Sequence, residues 1–313
     1  MPLLSVHLIT FNNKHHLDDT LQSILMQEVD FDFEIVVGDD CSTDGTYELL
    51  QRYSKDHPKL FNIQQNANRL GILKNYKTTL DRCKGAYIFD IAGDDFLKEK
   101  YSLQKMVNLF CQYPETGFID SGYDRLNEVD NSYYNYSNKT MIKANKEAYK
   151  KELLLGKIAP IGHCFRRDKL YEHVDFKAYI DQGVGIEDYP ILVNMAMHTN
   201  FKRIDESLLV YRVHEKSYSH NKELDKIIAR KEEMRALFDQ FSKSYSFSGD
   251  LQKEYYLNHH KQLLFYAGYF ENKELGKESY KKISSKSFKD LVHYWASQNK
   301  FFRKLISLRK KFF

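Results

Sequence analysis

The sequence predicts an α/β fold in which a mostly parallel, mixed sheet is flanked by helices, with a helical region at the C-terminus. In the first hundred residues, short apolar segments alternate with segments of helical periodicity, as they do in βαβ units. Two of the apolar segments end in paired aspartates, at 39–40 and 94–95. After about residue 220 the helical signal dominates. We therefore expect a sheet domain over 1–220 and a helical region over 221–313.

Each element is predicted from a local pattern. Residues 4–9 are apolar or β-branched with little alternation, which is typical of a strand buried on both faces. Leu17, Leu21 and Ile24 then recur at helical spacing. The other predicted strands are 33–37, 62–64, 86–91, 118–122 and 208–213. Before residue 220, one further helix is predicted to begin after 42–45, and others to cover 72–80, 97–110 and 191–196. Because ligands bind at the carboxyl ends of parallel strands, the acidic strand ends mark the expected site.

Composition excludes several classes of protein. The 313-residue chain has 47 basic and 43 acidic residues, a net charge of +4 and 42% hydrophobic residues, so it can bury a sizeable core and is not expected to be disordered. Six basic residues follow the last acid, Asp290, and the rest of the chain has 41 basic residues against 43 acidic ones. No nucleic-acid partner is expected, because the basic patch is confined to the tail.

Cysteine usage and hydropathy favour a cytoplasmic protein. The four cysteines, at 41, 83, 111 and 164, form no CxxC pair, and a reduced setting is the simpler interpretation. No apolar segment approaches the ~18 residues that would span a bilayer. The N-terminus has no basic region before its apolar stretch, so it is predicted to be a strand and not a signal peptide.

The acidic pair at the end of the second strand allows two interpretations. Asp39 and Asp40 precede a polar stretch over 41–46. A carboxylate at the carboxyl edge of a strand can accept a hydrogen bond from the N–H of a nucleotide base. The same residue types also cap helices and form tight turns. The local sequence gives the two interpretations equal weight.

A second acidic pair, Asp94 and Asp95, follows the fourth strand after Gly93. Adjacent carboxylates on such a loop suit a hard divalent cation whose remaining sites are taken by water and a diphosphate. The alternative is a capping pair for the helix over 97–110. Two acidic strand ends in one sheet favour the cation.

Two further groups of polar residues lie in the second half of the chain. Asp188 precedes Pro190, so it either caps a helix or acts as a general base held at a helix start; the local sequence favours the cap. Arg212 and His214 alternate onto one face of a strand end. There they can hold phosphate or complete a metal shell, although a solvated strand end is favoured without context.

The order of these groups closely resembles that of family 2 glycosyltransferases of the GT-A fold, especially bacterial members that build surface polysaccharides. The similarity covers roughly residues 4–220. The ordered set is highly specific, although no single motif is. The matching segments are Thr10-Phe11-Asn12, 33–46, Asn68, Gly71, 84–88, 187–190 and 211–214.

The resemblance implies an inverting transfer of a sugar from a nucleoside-diphosphate sugar, with a UDP-sugar favoured, to a glycan or lipid-linked acceptor. It implies Mn²⁺ or Mg²⁺ held by Asp94, the last acid of the DxD motif, and by His214, with Asp95 as a further candidate. It makes Asp188 the general base and places Arg212 and His214 at the diphosphate. The implied nucleotide-binding residues are Thr10, Phe11, Asn12, Asp39, Lys74 and Asp94.

One position departs from the family pattern. The first acid of DxD is replaced by Ala92, so the main alternative is a non-catalytic homologue that binds nucleotide sugars. A sugar nucleotidyltransferase is disfavoured, because the loop over 10–16 has no glycine.

Two polar segments are expected to contact ligands or surfaces. Residues 211–220 are predicted to form a mobile flap over the donor. The tail over 299–313 carries apolar residues at positions 301, 305, 308 and 312, on one helical face, with basic residues towards the other. Such a helix suits the inner face of the cytoplasmic membrane, or docks onto the protein's own core or a second copy in a homo-oligomer. The functional context favours the membrane.

Overall fold

The computed structural model describes residues 1–135, 146–158, 161–214 and 223–303. Within these ranges nine strands form one sheet in the order β3-β2-β1-β4-β8-β6-β9-β5, with β7 paired to β6. The strands are β1 (Leu4–Thr10), β2 (Phe33–Asp39), β3 (Phe61–Gln65), β4 (Tyr87–Ala92), β5 (Phe96–Leu97), β6 (Thr116–Asn127), β7 (Ser132–Asn135), β8 (Cys164–Arg166) and β9 (Asn200–Val213).

Helices separate the strands and continue to the end of the described chain. Those before residue 220 are α1 (Lys14–Leu25), α2 (Thr46–Asp56), α3 (Ile72–Leu80), α4 (Ser102–Gln112), α5 (Lys146–Leu154), α6 (Arg167–His173), α7 (Phe176–Asp181) and α8 (Asp188–His198). Those after it are α9 (Leu224–Ser244), α10 (Gly249–Phe270), α11 (Lys273–Lys282) and α12 (Phe288–Gln298). The predicted α/β class, with a mixed sheet and a helical C-terminal region, is confirmed.

The first half of the sheet is parallel. Strands β3, β2, β1 and β4 run in the same direction, and β8 pairs antiparallel with both β4 and β6. Strands β1 and β2 are almost entirely buried on both faces, as expected of parallel strands in the middle of a sheet. Their apolar side chains and those of α1 and α4 form one cluster that includes Leu8, Leu21, Ile35, Phe89 and Met106. This packing fixes the carboxyl ends of β1, β2 and β4 side by side.

Several predicted elements have different bounds in the structure. The strand expected over 118–122 is part of β6, and the helix expected over 191–196 is part of α8. The strand expected over 208–213 is the end of the longer strand β9, which begins at Asn200 and runs parallel to β6. Its first half is polar and carries little apolar signal. The helix expected over 97–110 begins only at Ser102, because Phe96 and Leu97 pair with β9 instead. The interpretation of the 94–95 pair as the cap of that helix is therefore wrong.

The chain divides into two compact units near residue 217. The first contains the sheet. In the second, α9 and α10 are joined by a stack of Phe238 on Tyr255, with ring centroids 3.6 Å apart. The ammonium of Lys261 on α10 lies 3.4 Å from a carboxylate oxygen of Asp290 on α12. No helix in the described ranges is both long and apolar enough to cross a bilayer.

Parts of the predicted flap and tail lie outside the described residues, which omit 215–222 and 304–313. Residues 300–303 are helical. The ring of Phe302 lies 5.4 Å from that of Trp295, and Arg303 donates a 2.7 Å hydrogen bond to Glu271. Phe301, by contrast, is 73% exposed. The membrane and docking interpretations of the tail stay predictions.

Candidate functional site

The predicted site residues of the first half meet at one edge of the sheet. Thr10 at the end of β1 is the register partner of Asp39 at the end of β2, and Ile9 is the partner of Ala92 at the end of β4. Parallel strands with aligned ends place their following loops next to each other. The 39–46 loop and the 93–95 loop therefore flank the loop that follows β1.

Asp39 is fully buried and already bonded within its own loop. Its carboxylate accepts hydrogen bonds from the backbone N–H of Ser42, at 3.0 Å, from the Ser42 hydroxyl, and from the Gln65 amide, at 2.8 Å. It does not cap α2; Asp44 accepts from the N–H of Thr46 at the start of that helix instead. Both aspartates therefore stabilise the turns of this stretch: Asp39 accepts from the backbone three residues on, and Asp44 from the backbone two residues on.

The loop after β1 is tied to the loop after β2. The backbone N–H of Asn12 donates to the Ser42 hydroxyl at 2.8 Å, and the Asn12 side-chain oxygen accepts from the N–H of Thr43 at 2.9 Å. The guanidinium of Arg69 lies 4.0 Å from the centre of the Phe11 ring. Lys74 is exposed on α3. The structure thus brings Phe11, Asn12 and Asp39 together through shared loops, with Lys74 on the neighbouring helix.

Asp40 has a role that the sequence did not reveal. Its two carboxylate oxygens accept the backbone N–H groups of Leu70, at 2.7 Å, and Gly71, at 2.9 Å, and one of them also accepts from the Asn66 amide at 3.1 Å. A charged acceptor that satisfies three donors holds a segment firmly. Asp40 therefore anchors the 66–71 loop beside the carboxyl end of β2.

The end of β9 reaches the loop after β4. The Nε2 atom of His214 lies 3.1 Å from Oδ2 of Asp94, and the Nε atom of Arg212 donates to the Asp94 backbone oxygen at 2.9 Å. The backbone N–H of Arg212 donates to Oδ1 of Asp95, also at 2.9 Å. The two predicted groups, 94–95 and 212–214, are therefore in contact.

The Arg212 guanidinium is held by two acids that sequence reasoning missed. It donates to Glu128 at 2.7 Å and to Asp19 at 2.8 Å. Glu128 in turn lies 3.0 Å from the ring of His16, whose pKa is lowered chiefly by burial. These partners come from α1 and from the turn after β6, so no local pattern could have identified them.

The two acids after β4 have different environments. Asp95 is only 4% exposed. Burial, and then the charge of Asp94, raise the pKa of Asp95 well above its usual range. The Asp94 side chain is 21% exposed. A cation ligand must be ionised and accessible, so Asp94 is the better placed of the two.

Asp94 and His214 together suit a divalent cation whose coordination shell is completed by water and phosphate oxygens. Asp94 contributes a carboxylate oxygen and His214 an imidazole nitrogen on the same side of the loop. In the described ranges no three His, Cys, Asp or Glu side chains form a complete cation site. Mg²⁺ and ions of similar chemistry commonly take one or two protein ligands and complete their shell with water and phosphate oxygens. Asp94 and His214 therefore fit the protein's part of the coordination shell of such an ion.

Asp188 begins α8 and faces a cavity. The N-cap of this helix, Glu187, makes no side-chain cap bond. The Asp188 carboxylate accepts a 2.7 Å hydrogen bond from the adjacent backbone N–H of Tyr189. It lines a cavity of about 190 Å³ together with Ala92, Asp95 and Glu187. The helix start thus presents a carboxylate to a cavity next to the acidic loop after β4.

The fold and this arrangement define the class of protein. The structure is similar to the mannosyltransferase PcManGT from Pyrobaculum calidifontis, solved with GDP-Man and Mn²⁺, with a TM-score of 0.59 and 15% identity over 99% of this chain and 87% of that one. It is also similar to residues 1–349 of TarS from Staphylococcus aureus, solved with UDP-GlcNAc, with a TM-score of 0.54 and 14% identity over 98% of this chain and 91% of that one. These likenesses establish the GT-A fold.

The family follows from the sequence match. The model of glycosyl transferase family 2 matches residues 5–174, and the chain belongs to this family. A GalNAc(5)-diNAcBac-PP-undecaprenol beta-1,3-glucosyltransferase of Campylobacter jejuni is 27% identical over 215 residues, 68% of this chain and 65% of the relative. Chondroitin synthase of Escherichia coli is 30% identical over 126 residues, 38% of this chain and 18% of that protein. The chain spans 33% of the length of the Mycobacterium tuberculosis relatives that it matches.

Proposed function

We propose that this protein transfers a sugar from a nucleoside-diphosphate sugar to a hydroxyl group of a glycan or lipid-linked acceptor, with inversion at the anomeric carbon. The observation that carries the proposal is the cavity shared by Asp188 and the end of β4. A carboxylate in the same cavity as the end of β4 supports the proposal, because the resemblance to family 2 members implies that the donor lies at that strand end. A base on one side and a stabilised diphosphate on the other are what an inverting displacement requires.

In the proposed step Asp188 accepts the proton of the acceptor hydroxyl. The acceptor oxygen then forms a bond to the anomeric carbon while the bond from that carbon to the diphosphate oxygen breaks. Attack from the side opposite the leaving group inverts the configuration. Asp188 is held at the helix start by the N–H of Tyr189, which leaves the rest of its carboxylate for the acceptor.

Asp94 and His214 would hold a divalent cation, Mn²⁺ or Mg²⁺, which neutralises charge on the diphosphate when bound. Arg212 supports this loop, because it bonds both to the Asp94 backbone and to the Asp95 side chain. The nucleotide would lie against Thr10, Phe11, Asn12 and Asp39. We favour UDP as the nucleotide.

The class of acceptor is proposed from the name of one relative. The name of the Campylobacter jejuni relative specifies an undecaprenol-linked saccharide, which supports a lipid-linked acceptor at the inner face of the cytoplasmic membrane. Residues 299–313 would make the peripheral contact, or join two copies in a homo-oligomer. Co-sedimentation with anionic vesicles should be stronger for the full chain than for one ending at Gln298, and equal pelleting would exclude the membrane role.

A screen of nucleotide sugars tests the activity. The purified protein with Mn²⁺ should release nucleoside diphosphate from one donor far faster than from the others, and the product formed with an acceptor should have the inverted anomeric configuration by NMR. Ala92 favours the one alternative, a homologue that binds nucleotide sugars without transferring them. Calorimetry showing cation-dependent nucleotide binding, with no turnover of any donor, would establish that alternative.

A further inference from the structure

Helix α12 in the C-terminal unit exposes its largest apolar side chains and buries polar ones. Phe288 is 76% exposed and Trp295 is 38% exposed. They are separated by about two helical turns, so they lie on one face of the helix. The buried side chains of α12 are small or polar, namely Asp290, His293, Ala296 and Ser297. A surface helix normally buries its apolar face, so the outward aromatic side chains indicate a contact surface.

The position of α12 is set by its other side. Its start is fixed by a capping box, in which the Ser287 hydroxyl accepts the N–H of Asp290 and the Asp290 carboxylate accepts the N–H of Ser287. The ring of His293 lies 5.3 Å from that of Phe265 on α10. The helix is therefore held in place by contacts that do not involve Phe288.

The segment that forms α11 and α12 is basic. Residues 273–303 contain eight basic residues against three acidic ones, so the basic excess that follows Asp290 extends back over α11. Asp290 itself is only 3% exposed. Lys281, Lys282 and Lys289 are exposed. Within the part of the chain that the structure describes, none of these three lysines forms an ion pair with an acidic side chain. Unpaired cations therefore accompany the exposed aromatic side chains.

This charge distinguishes between the possible occupants of the surface. A second copy would bring the same basic residues to a two-fold contact. The remaining residues of the chain, 304–313, contain four basic residues and no acidic one, so they would also meet like charge. An anionic lipid surface offers opposite charge to the lysines and an apolar layer to the aromatic rings. Tryptophan is also enriched at membrane–water interfaces.

We propose that α12 is a membrane-contact helix, which lies in the plane of an anionic bilayer and inserts Phe288 and Trp295 into its interface. Lys281, Lys282 and Lys289 attract the lipid headgroups. The inference goes beyond the proposed function, because it adds a folded helix to the contact proposed for residues 299–313 and holds whether or not the protein transfers a sugar.

Trp295 is the single tryptophan of the chain, so its fluorescence reports directly on α12. The full chain is titrated with vesicles of phosphatidylcholine, with and without phosphatidylglycerol as the anionic lipid. Anionic vesicles should shift the emission of Trp295 to shorter wavelength, and bromine on their acyl chains should quench it. Neutral vesicles should bind at least about tenfold more weakly, because basic side chains near an anionic surface strengthen binding.

Phe288→Gln should weaken binding to anionic vesicles by about tenfold or more, since it removes the most exposed aromatic side chain of the helix. Its thermal midpoint should stay close to that of the wild type, because little of this side chain is buried. Val129→Gln is the matched control. It replaces an apolar side chain that is 63% exposed in the sheet unit, and it should bind vesicles like the wild type.

The charge is tested separately. Lys281→Gln combined with Lys289→Gln should weaken binding to anionic vesicles by at least about tenfold and leave binding to neutral vesicles unchanged. Lys55→Gln combined with Lys59→Gln removes two exposed lysines of the sheet unit and should keep the wild-type affinity.

Several results would overturn the role of α12. Pelleting with anionic vesicles without a change in Trp295 emission would assign the contact to the tail alone, and no binding would exclude both contacts. Unchanged affinity in Phe288→Gln and in the double lysine variant would exclude this face. Emission at short wavelength without vesicles, moving to longer wavelength on dilution or in a chain that ends at Arg303, would show that a second copy or the tail covers it. Sugar transfer is measured independently by the donor screen.

Discussion

The imidazole of His214 and the carboxylate of Asp94 lie 3.1 Å apart although 120 positions separate them in the sequence. His214 directly follows β9, the last described strand in the sequence, and Asp94 lies in the loop after β4. Their contact brings together a motif from the first half of the chain, at 94–95, and a motif from the second half, at 211–214. The proposed cation site rests on this contact.

Asp94→Ala should remove cation-dependent binding of nucleoside diphosphate. The variant loses a carboxylate that is accessible and next to His214, so Mn²⁺ should no longer increase nucleotide affinity. Titration calorimetry with and without Mn²⁺ measures the effect. Asp30→Ala, which removes an exposed carboxylate elsewhere in the same unit, should behave like the wild type. Mn²⁺ stimulation that survives in Asp94→Ala would show that the cation binds elsewhere.

Asp40→Ala should destabilise the sheet unit and weaken nucleotide binding. The substitution leaves the backbone N–H groups of Leu70 and Gly71 without their acceptor, and hydrogen bonds to charged groups are worth about 1.5–3 kcal/mol each. We expect a loss of about 2–3 kcal/mol in the free energy of unfolding, measured in urea. A loss below about 0.5 kcal/mol would mean that the 66–71 loop does not depend on this carboxylate.

Gly93→Ala should be destabilising because the strand ends are tightly packed. A Cβ atom at position 93 would lie 2.5 Å from the Thr10 hydroxyl oxygen and 2.8 Å from the Thr10 Cβ. Overpacking of this kind costs about 1–3 kcal/mol. Gly249→Ala is the matched control, because its added Cβ meets no atom within 4 Å. Thermal unfolding should show the loss only at position 93, and Thr10→Ala should recover part of it; equal effects of the two alanines would contradict the packing.

His163 should make stability fall in acid. Burial, followed by the charge of Arg203, lowers the pKa of its imidazole from the usual 6.5 to about 3, so below pH 6.5 the unfolded chain binds a proton that the folded protein does not. Stability then decreases as pH falls from 6.5 towards 3, with a limiting slope of about 1.4 kcal/mol per pH unit. Urea unfolding from pH 7 to 4 should show a flatter profile for His163→Gln. His15→Gln, at an exposed position, should keep the wild-type slope; identical profiles for the wild type and His163→Gln would exclude the effect.

The sheet could be predicted from the sequence because its strands are buried on both faces. Residues 4–9 and 86–91 carry enough apolar and β-branched side chains to be recognised without partners. Strand β9 was predicted only at its end, since its first half is polar. The start of α4 was misplaced for a similar reason: Phe96 and Leu97 pair with a strand more than a hundred residues away, and local periodicity does not contain that information.

The proposed site rests on motifs. Asp94, Asp188 and His214 are predicted from their order along the chain, and their roles stay predictions. The partners of Arg212, Asp19 and Glu128, could not be predicted, because tertiary structure alone brings them together. Asp90 offered one signal, a carboxylate in an otherwise apolar strand. Such a group requires a partner, and the structure supplies two from elsewhere in the chain, the imidazole of His7 and the hydroxyl of Tyr76.

Asp188 provides the most direct test of sugar transfer by an inverting displacement. In Asp188→Asn the side chain keeps an oxygen for the N–H of Tyr189 but cannot accept the proton of the acceptor hydroxyl. The steady-state transfer rate with the donor found in the screen should fall by about 10²–10⁴-fold, while donor affinity and the thermal midpoint stay close to wild type. Glu187→Gln, in the same cavity, should retain most activity. A near-normal transfer rate in Asp188→Asn would contradict its role as the general base.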